Sequence, residues 1–169
     1  MPYFIYLPPG YRSEGRLYPV LFLLHGNSGS YEEWLAYGFV DRVDRMIVRN
    51  EISPIVVVFP QGDFSYWVNS PWEEGLRWGD YLSVDLVRHI GATYRVFADP
   101  ERRAVGGLSM GGTGALVNAF WRPTYSARSG LIARPCRPKA LAIFSASTEI
   151  SASATRFPLQ TCAPSASLG

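Results

Sequence analysis

Apolar residues fall along this chain in short blocks with two different periods. Tyr3-Phe4-Ile5-Tyr6-Leu7 is a brief apolar block stopped by Pro8-Pro9-Gly10. Pro19-Val20-Leu21-Phe22-Leu23-Leu24 runs without a polar break, the pattern of a parallel strand covered on both faces. It ends in His25-Gly26-Asn27-Ser28-Gly29-Ser30, rich in residues that tolerate unusual backbone angles. Ser30 with Glu33 has the spacing of a capping box. That box predicts a helix with Val40, Val43 and Ile47 on one face, closed by Asn50. Ile55-Val56-Val57-Val58-Phe59 predicts a second buried strand, ended by Pro60-Gln61-Gly62. Asp80 is placed to cap a further helix whose apolar face is Leu82, Leu86, Ile90 and Tyr94, and Asp99-Pro100 breaks it. Arg103-Ala104-Val105 then enters another strand. Alternation of strand and helix at this spacing predicts an α/β fold, a mostly parallel sheet with helices on both faces. Sites in such sheets lie at the carboxyl ends of the strands. The His25–Ser30 loop, the segment after Phe59 and the turn at Ser109 are therefore expected on one rim.

The stretch Ala104-Val105-Gly106-Gly107-Leu108-Ser109-Met110-Gly111-Gly112 reads as a buried strand, a sharp turn and a helix start. Gly107, Ser109 and Gly111 fit the G-x-S-x-G nucleophile elbow. A serine at the apex of so tight a turn sits in a strained conformation. A β-carbon two residues to either side would collide with neighbouring backbone, so those positions call for glycine. The helix that follows aims free N–H groups at the serine, where they favour developing negative charge. A Gly-rich helix start or a phosphate loop has the same five residues, and the strand-to-helix context favours the elbow.

Composition changes this picture little over most of the chain. With 169 residues, 47% hydrophobic and 14% aromatic, the chain is one domain's worth of globular sequence. No run approaches the ~18 apolar residues of a membrane span, and Met1-Pro2-Tyr3-Phe4 lacks a charged-then-apolar leader pattern. A net charge of +2 gives no reason to expect nucleic acid as a partner. The charge is unevenly spread, however. Residues 1–120 hold 13 acids and 10 bases, whereas 121–169 hold one acid, Glu149, and six bases. Cys136 and Cys162 lie in that tail without the spacing or histidine neighbours of a metal site.

The succession Tyr6-Leu7-Pro8-Pro9-Gly10-Tyr11, Tyr18-Pro19-Val20-Leu21 to His25-Gly26, and Gly107-Leu108-Ser109-Met110-Gly111-Gly112 with Gly114-Ala115-Leu116 resembles the esterase branch of the α/β-hydrolases. Esterase D-like S-formylglutathione hydrolases, feruloyl esterases, enterochelin esterases and mycolyltransferase antigens belong to that branch. The resemblance covers about residues 3–120. It implies an α/β-hydrolase-type fold, a small-molecule ester substrate and no cofactor or metal. It further implies Ser109 as acyl-accepting nucleophile, with an oxyanion hole from the backbone N–H groups of Met110 and Asn27. Serine needs a base, normally a histidine oriented by a carboxylate, and both follow it in the chains of this superfamily. Here no histidine follows Ser109, and Glu149 is the one acid that does. His25 precedes the oxyanion-loop glycine and reads as structural. His89 reads as a partly exposed helix residue. The chain thus offers a serine carboxylic-ester hydrolase without its triad acid and histidine. A catalytically inactive hydrolase-fold binding domain and an acyltransferase using the same serine are the alternatives.

Two stretches complete the reading. Phe64-Ser65-Tyr66-Trp67-Val68-Asn69-Ser70-Pro71-Trp72, with Trp78 beyond, either walls a substrate site or anchors a long loop. Trp67 is the single ring favoured for substrate contact. Residues 1–121 form the N-terminal hydrolase part, and 122–169 form an atypical basic tail in which only Ala140–Phe144 has a strand pattern. One lysine, Lys139, accompanies fifteen arginines, the mark of a GC-rich gene. Back-translated in a shifted frame from about Arg122, the tail regains an apolar strand and loop. The expectation is a frameshifted tail, with a natural, divergent or poorly ordered tail as the alternative, and a sheet incomplete at its C-terminal end.

Overall fold

The computed structural model describes residues 1–72, 75–122, 130–133 and 142–145, the last two as backbone strands. The expectations for the remaining tail, with Cys136, Glu149 and Cys162, lie outside the described residues. The order is β1 (Tyr3–Tyr6), β2 (Val20–Leu24), α1 (Glu33–Ala36), α2 (Phe39–Val48), β3 (Val56–Pro60), α3 (Trp78–Asp80), a π-turn (Tyr81–Asp85), α4 (Leu86–Thr93), a 3-10 turn (Pro100–Arg102), β4 (Arg103–Leu108), α5 (Met110–Trp121), β5 (Gly130–Ala133) and β6 (Ala142–Ser145).

These strands form one sheet in the order β1-β3-β2-β4-β5-β6. β2 lies parallel between β3 and β4, with Val20 opposite both Val56 and Arg103 and Leu24 opposite Gly107. β5 continues parallel to β4, while β1 and β6 run antiparallel at the two edges. The unbroken apolar runs are explained by what covers each face. Along β3, Val56 and Val58 enter a core with Phe22, Leu24 and Val105 beneath Leu82, Leu86, Ile90, Met110 and Ala115. The alternate residues, Val57 and Phe59, enter a second core with Leu23 and Leu108 beneath Trp34, Phe39, Val43 and Ile47. A period of two thus divides one apolar run between two helical layers.

Several boundaries differ from the sequence expectations. The helix expected from Ser30 to Asn50 is two helices, because Gly38 (φ +67°) breaks the chain and opens α2. Asn50 does close α2, in a left-handed conformation. The capping box is not formed. Ser30 Oγ accepts from the Glu32 N–H at 3.2 Å, and the Glu33 carboxylate goes elsewhere. Asp80 does not cap its helix either, since the helical run already begins at Trp78. Its N–H donates instead to Asn69 Oδ1 at 3.0 Å. The Asp80 carboxylate faces Arg77 Nε at 2.5 Å and Arg122 Nη1 at 2.6 Å, tying the end of α3 to the residue that follows α5. β5 falls where the sequence shows neither period, and β6 lies within one residue of the Ala140–Phe144 block's end.

Trp67 is fully buried at 0% exposure, so its ring meets the core and not a substrate. Left-handed angles at Tyr66 (φ +51°) and Trp67 (φ +59°) turn one ring outward and the other in. The Trp67 side chain then fills the space that β-carbons at Gly62 and Gly114 would need, 2.4 and 2.5 Å from its atoms. Asn118 Nδ2 donates to the Trp67 carbonyl at 2.8 Å. The loop after β3 is thereby fastened to α5.

Trp67→Ala should cost about 3–5 kcal/mol in urea unfolding, as expected for an emptied aromatic site in a core. Hydrogen bonding from Asn69, then from Arg77 and Arg122, lowers the Asp80 carboxyl from 3.8 to about 2. A carboxyl lowered on folding adds stability above its unfolded value and loses it as pH falls toward the folded one. The Tm of the unsubstituted protein should therefore exceed that of Asp80→Asn above pH 4, the gap closing as pH falls to about 2.

Candidate active site

β4 delivers Ser109 to the rim, and α5 starts at the next residue. Ser109 has φ +52° and ψ −114°, a conformation that costs a non-glycine residue on the order of 1–3 kcal/mol. The close approach of the backbone around it explains both flanking glycines. A β-carbon on Gly107 would lie 2.4 Å from the Gly111 carbonyl carbon. One on Gly111 would lie 2.4 Å from the Leu24 oxygen and 2.5 Å from that of His25. Thr113 holds the turn from within the helix, donating to the Ser109 carbonyl through its N–H at 3.0 Å and its Oγ1 at 3.4 Å. Serine before a helix usually accepts a hydrogen bond from the first turn. Ser109 makes no such side-chain cap and is exposed. Its hydroxyl stands at the N-terminus of a 12-residue helix, whose first N–H groups have no intrahelical acceptor.

The loop after β2 packs directly on this turn. Gly111 meets the Leu24 and His25 carbonyls, and a β-carbon on Gly26 would lie 3.4 Å from the Leu108 oxygen. Asn27, the next residue, is exposed, and Ser28 (φ +62°) bends the chain away. Ser109, Met110 and the Gly26–Asn27 peptide therefore belong to one small region of the rim, as the motifs suggested.

His25 is 1% exposed and hydrogen bonded at both ring nitrogens. The Gly62 N–H donates to Nε2 at 3.0 Å, which leaves the proton on Nδ1, and Nδ1 donates to the Gly26 carbonyl at 2.8 Å. The ring also meets Trp67 edge to face at 5.1 Å. His25 thus joins the loops after β2 and β3 and has no lone pair to offer a substrate. His89 is exposed on α4, with Nε2 2.9 Å from the Tyr3 hydroxyl. Burial, then Tyr94, pushes the Tyr3 phenol up to about 12. Tyr3 belongs to β1, three strand spacings from β4 and so roughly 14 Å away across the sheet. Neither histidine stands as a base for Ser109.

Of the aromatic segment, Phe64, Tyr66 and Trp72 are the exposed rings, Trp72 at 78%. Trp78 is buried. Composition marked the segment as aromatic, but the outward rings are the neighbours of Trp67. Glu33 has the spacing of a capping residue, yet its carboxylate accepts from the Gly26 N–H at 2.6 Å. Its partner lies seven positions back across a loop, which no local spacing signals. Among the described residues no group of His, Cys, Asp or Glu is placed to hold a metal ion, and no helix is long and apolar enough to cross a membrane.

The chain is similar to proteins of known kind over most of its length. An esterase of Mycobacterium tuberculosis is 35% identical over 118 residues, covering 68% of this chain and 25% of that protein. The S-formylglutathione hydrolase of Mus musculus is 28% identical over 153 residues, covering 82% of this chain and 53% of its own. Among solved structures, a ferulic acid esterase superposes with a TM-score of 0.63 at 29% identity, over 73% of this chain and 50% of that one. The chain therefore spans a quarter of the first relative and about half of the other two. The family described as Putative esterase matches residues 1–150, well past the 3–120 that the motifs covered. With that match and an α/β-hydrolase sheet beneath it, the chain belongs to the Putative esterase family.

Proposed function

We propose that this chain carries the nucleophile and the oxyanion donors of a serine carboxylic-ester hydrolase. Ser109 is the acyl-accepting nucleophile, and the backbone N–H groups of Met110 and Asn27 hold the oxyanion. The observation that supports this reading best is the Ser109 turn, strained, exposed and unused for helix capping. Ser109 Oγ adds to the ester carbonyl, whose oxygen takes the negative charge. Collapse of that intermediate expels the alcohol and leaves an acyl-serine, which water then hydrolyses. Each oxyanion donor is worth roughly 3 kcal/mol in the transition state. Passing the acyl group to another alcohol uses the same intermediate.

Deprotonating Ser109 is the step for which the described residues offer no free histidine, because His25 and His89 are both engaged elsewhere. In this reading the triad acid and histidine belong to sequence that the tail from about Arg122 replaces through a shifted frame. The engaged histidines also favour a second reading, a catalytically silent domain that binds a ligand through Phe64, Tyr66 and Trp72.

Mixing the chain with p-nitrophenyl acetate should acetylate Ser109, seen as an intact-mass adduct that Ser109→Ala abolishes. With no histidine placed to draw the serine proton, initial nitrophenol release should be slow, and slower still in that variant. Equal trace rates in the two proteins would favour the binding domain. Reading the encoding DNA from the Ser109 codon onward tests the tail. A shifted frame that stays open and supplies an acid and a histidine is the expected result, and one that closes early would sink the frameshift.

A further inference from the structure

The peptide unit that carries the Asn27 N–H is held from several sides. Its carbonyl, that of Gly26, accepts from His25 Nδ1 at 2.8 Å and from the Gly29 N–H at 3.1 Å. A trans peptide is planar, so its C=O and N–H point in opposite directions. Fixing the Gly26 carbonyl therefore aims the Asn27 N–H. On the preceding side, the Gly26 N–H donates to Glu33 Oε2 at 2.6 Å. Gly26 is flexible at both its backbone dihedrals, so holding the carbonyl alone leaves the unit free to rock about its own α-carbon. A bond on the N–H removes that freedom.

Glu33 is itself restrained. The Tyr37 hydroxyl, one helical turn on, donates to its Oε1 at 3.2 Å. The carboxylate also fills the bend of the loop. A β-carbon on Gly29 would lie 2.6 Å from Oε2, and one on Gly26 would lie 3.6 and 3.7 Å from the two oxygens. Ionised acceptors give shorter and stronger bonds than neutral ones, in keeping with 2.6 Å.

Resting on the reading of Asn27 as an oxyanion donor, we propose that Glu33 is a positioning residue that braces the loop and aims the Asn27 N–H at the oxyanion. An acidic residue in the first turn of α1 has an ordinary role too, in offsetting the helix dipole. The two roles rank substitutions in opposite order. Glu33→Asp keeps the charge at the helix start but loses a methylene, about 1.5 Å of reach. Glu33→Gln loses the charge but keeps an oxygen at the same distance.

The experiment uses the full chain and two readouts, amide exchange at Gly26 and Asn27 by NMR and the rate of Ser109 acetylation by p-nitrophenyl acetate. Glu33→Asp should speed Gly26 exchange by about tenfold or more, shift the Asn27 resonance, and slow acetylation roughly tenfold at unchanged KM. Glu33→Gln should stay close to the unsubstituted protein in both. Unchanged Gly26 exchange in Glu33→Asp, or a larger effect in Glu33→Gln than in Glu33→Asp, would overturn the brace. If the unsubstituted protein is never acetylated, the acyl-serine reading fails, and the order of Gly26 exchange rates still decides the role of Glu33. Should Glu33→Asp not fold, Tyr37→Phe removes the second tether of the same carboxylate. Faster Gly26 exchange is then expected, and no change would overturn the proposal.

Discussion

Everything at the rim depends on how closely α5 can approach the end of β2. Gly111 sits so near the Leu24 and His25 carbonyls that a single methyl group would force them apart. That contact sets where Ser109 stands, because the serine is the one residue between β4 and α5. It also sets where the loop after β2 begins, because His25 is both the residue touched and the residue that starts the loop. One steric constraint therefore registers two parts of the site against each other. The strain at Ser109 persists because β4 and α5 are each fixed by their own packing, the strand in the middle of the sheet and the helix against the core.

A second tier of interactions carries that registration outward. His25 ties the first loop to Gly62 on the second, and Trp67 ties the second loop back to α5 through Gly114 and Asn118. The three segments form a closed ring of contacts around the elbow. None of the three links relies on a charge, so the ring is insensitive to salt, unlike the exposed pair at Arg49 and Glu51.

The sheet and the elbow were legible in sequence because their signals are local. An unbroken run such as Val56–Phe59 has few homes other than a strand covered on both faces, and glycines at fixed offsets from a serine report a steric need. What stayed hidden depends on partners far off in the chain. Glu33 has the spacing of a capping residue, and only the return of the loop shows that Gly26 claims it. Trp67 and Tyr66 look alike in a list of aromatics, yet two left-handed residues in succession decide which is buried. Gly38 ends one helix by a left-handed angle while the apolar spacing runs on past it. β5 is four residues long and takes its place from its pairing with Gly106–Leu108, not from any period of its own.

The strand order has a consequence for how the chain is made. β2 sits between β3 and β4, but β4 begins at Arg103, roughly 80 residues after β2 ends at Leu24. At a synthesis rate of about 5–20 residues per second, one edge of β2 waits on the order of 4–16 s for its second neighbour to emerge. During that interval the backbone N–H and C=O groups along one side of Val20–Leu24 form an unpaired edge, the kind of surface that recruits other chains. β3 and the helix α2 that precedes it arrive earlier and shield one side and one face. The strand that delivers the elbow, and so completes the site, is also the segment that ends this exposure.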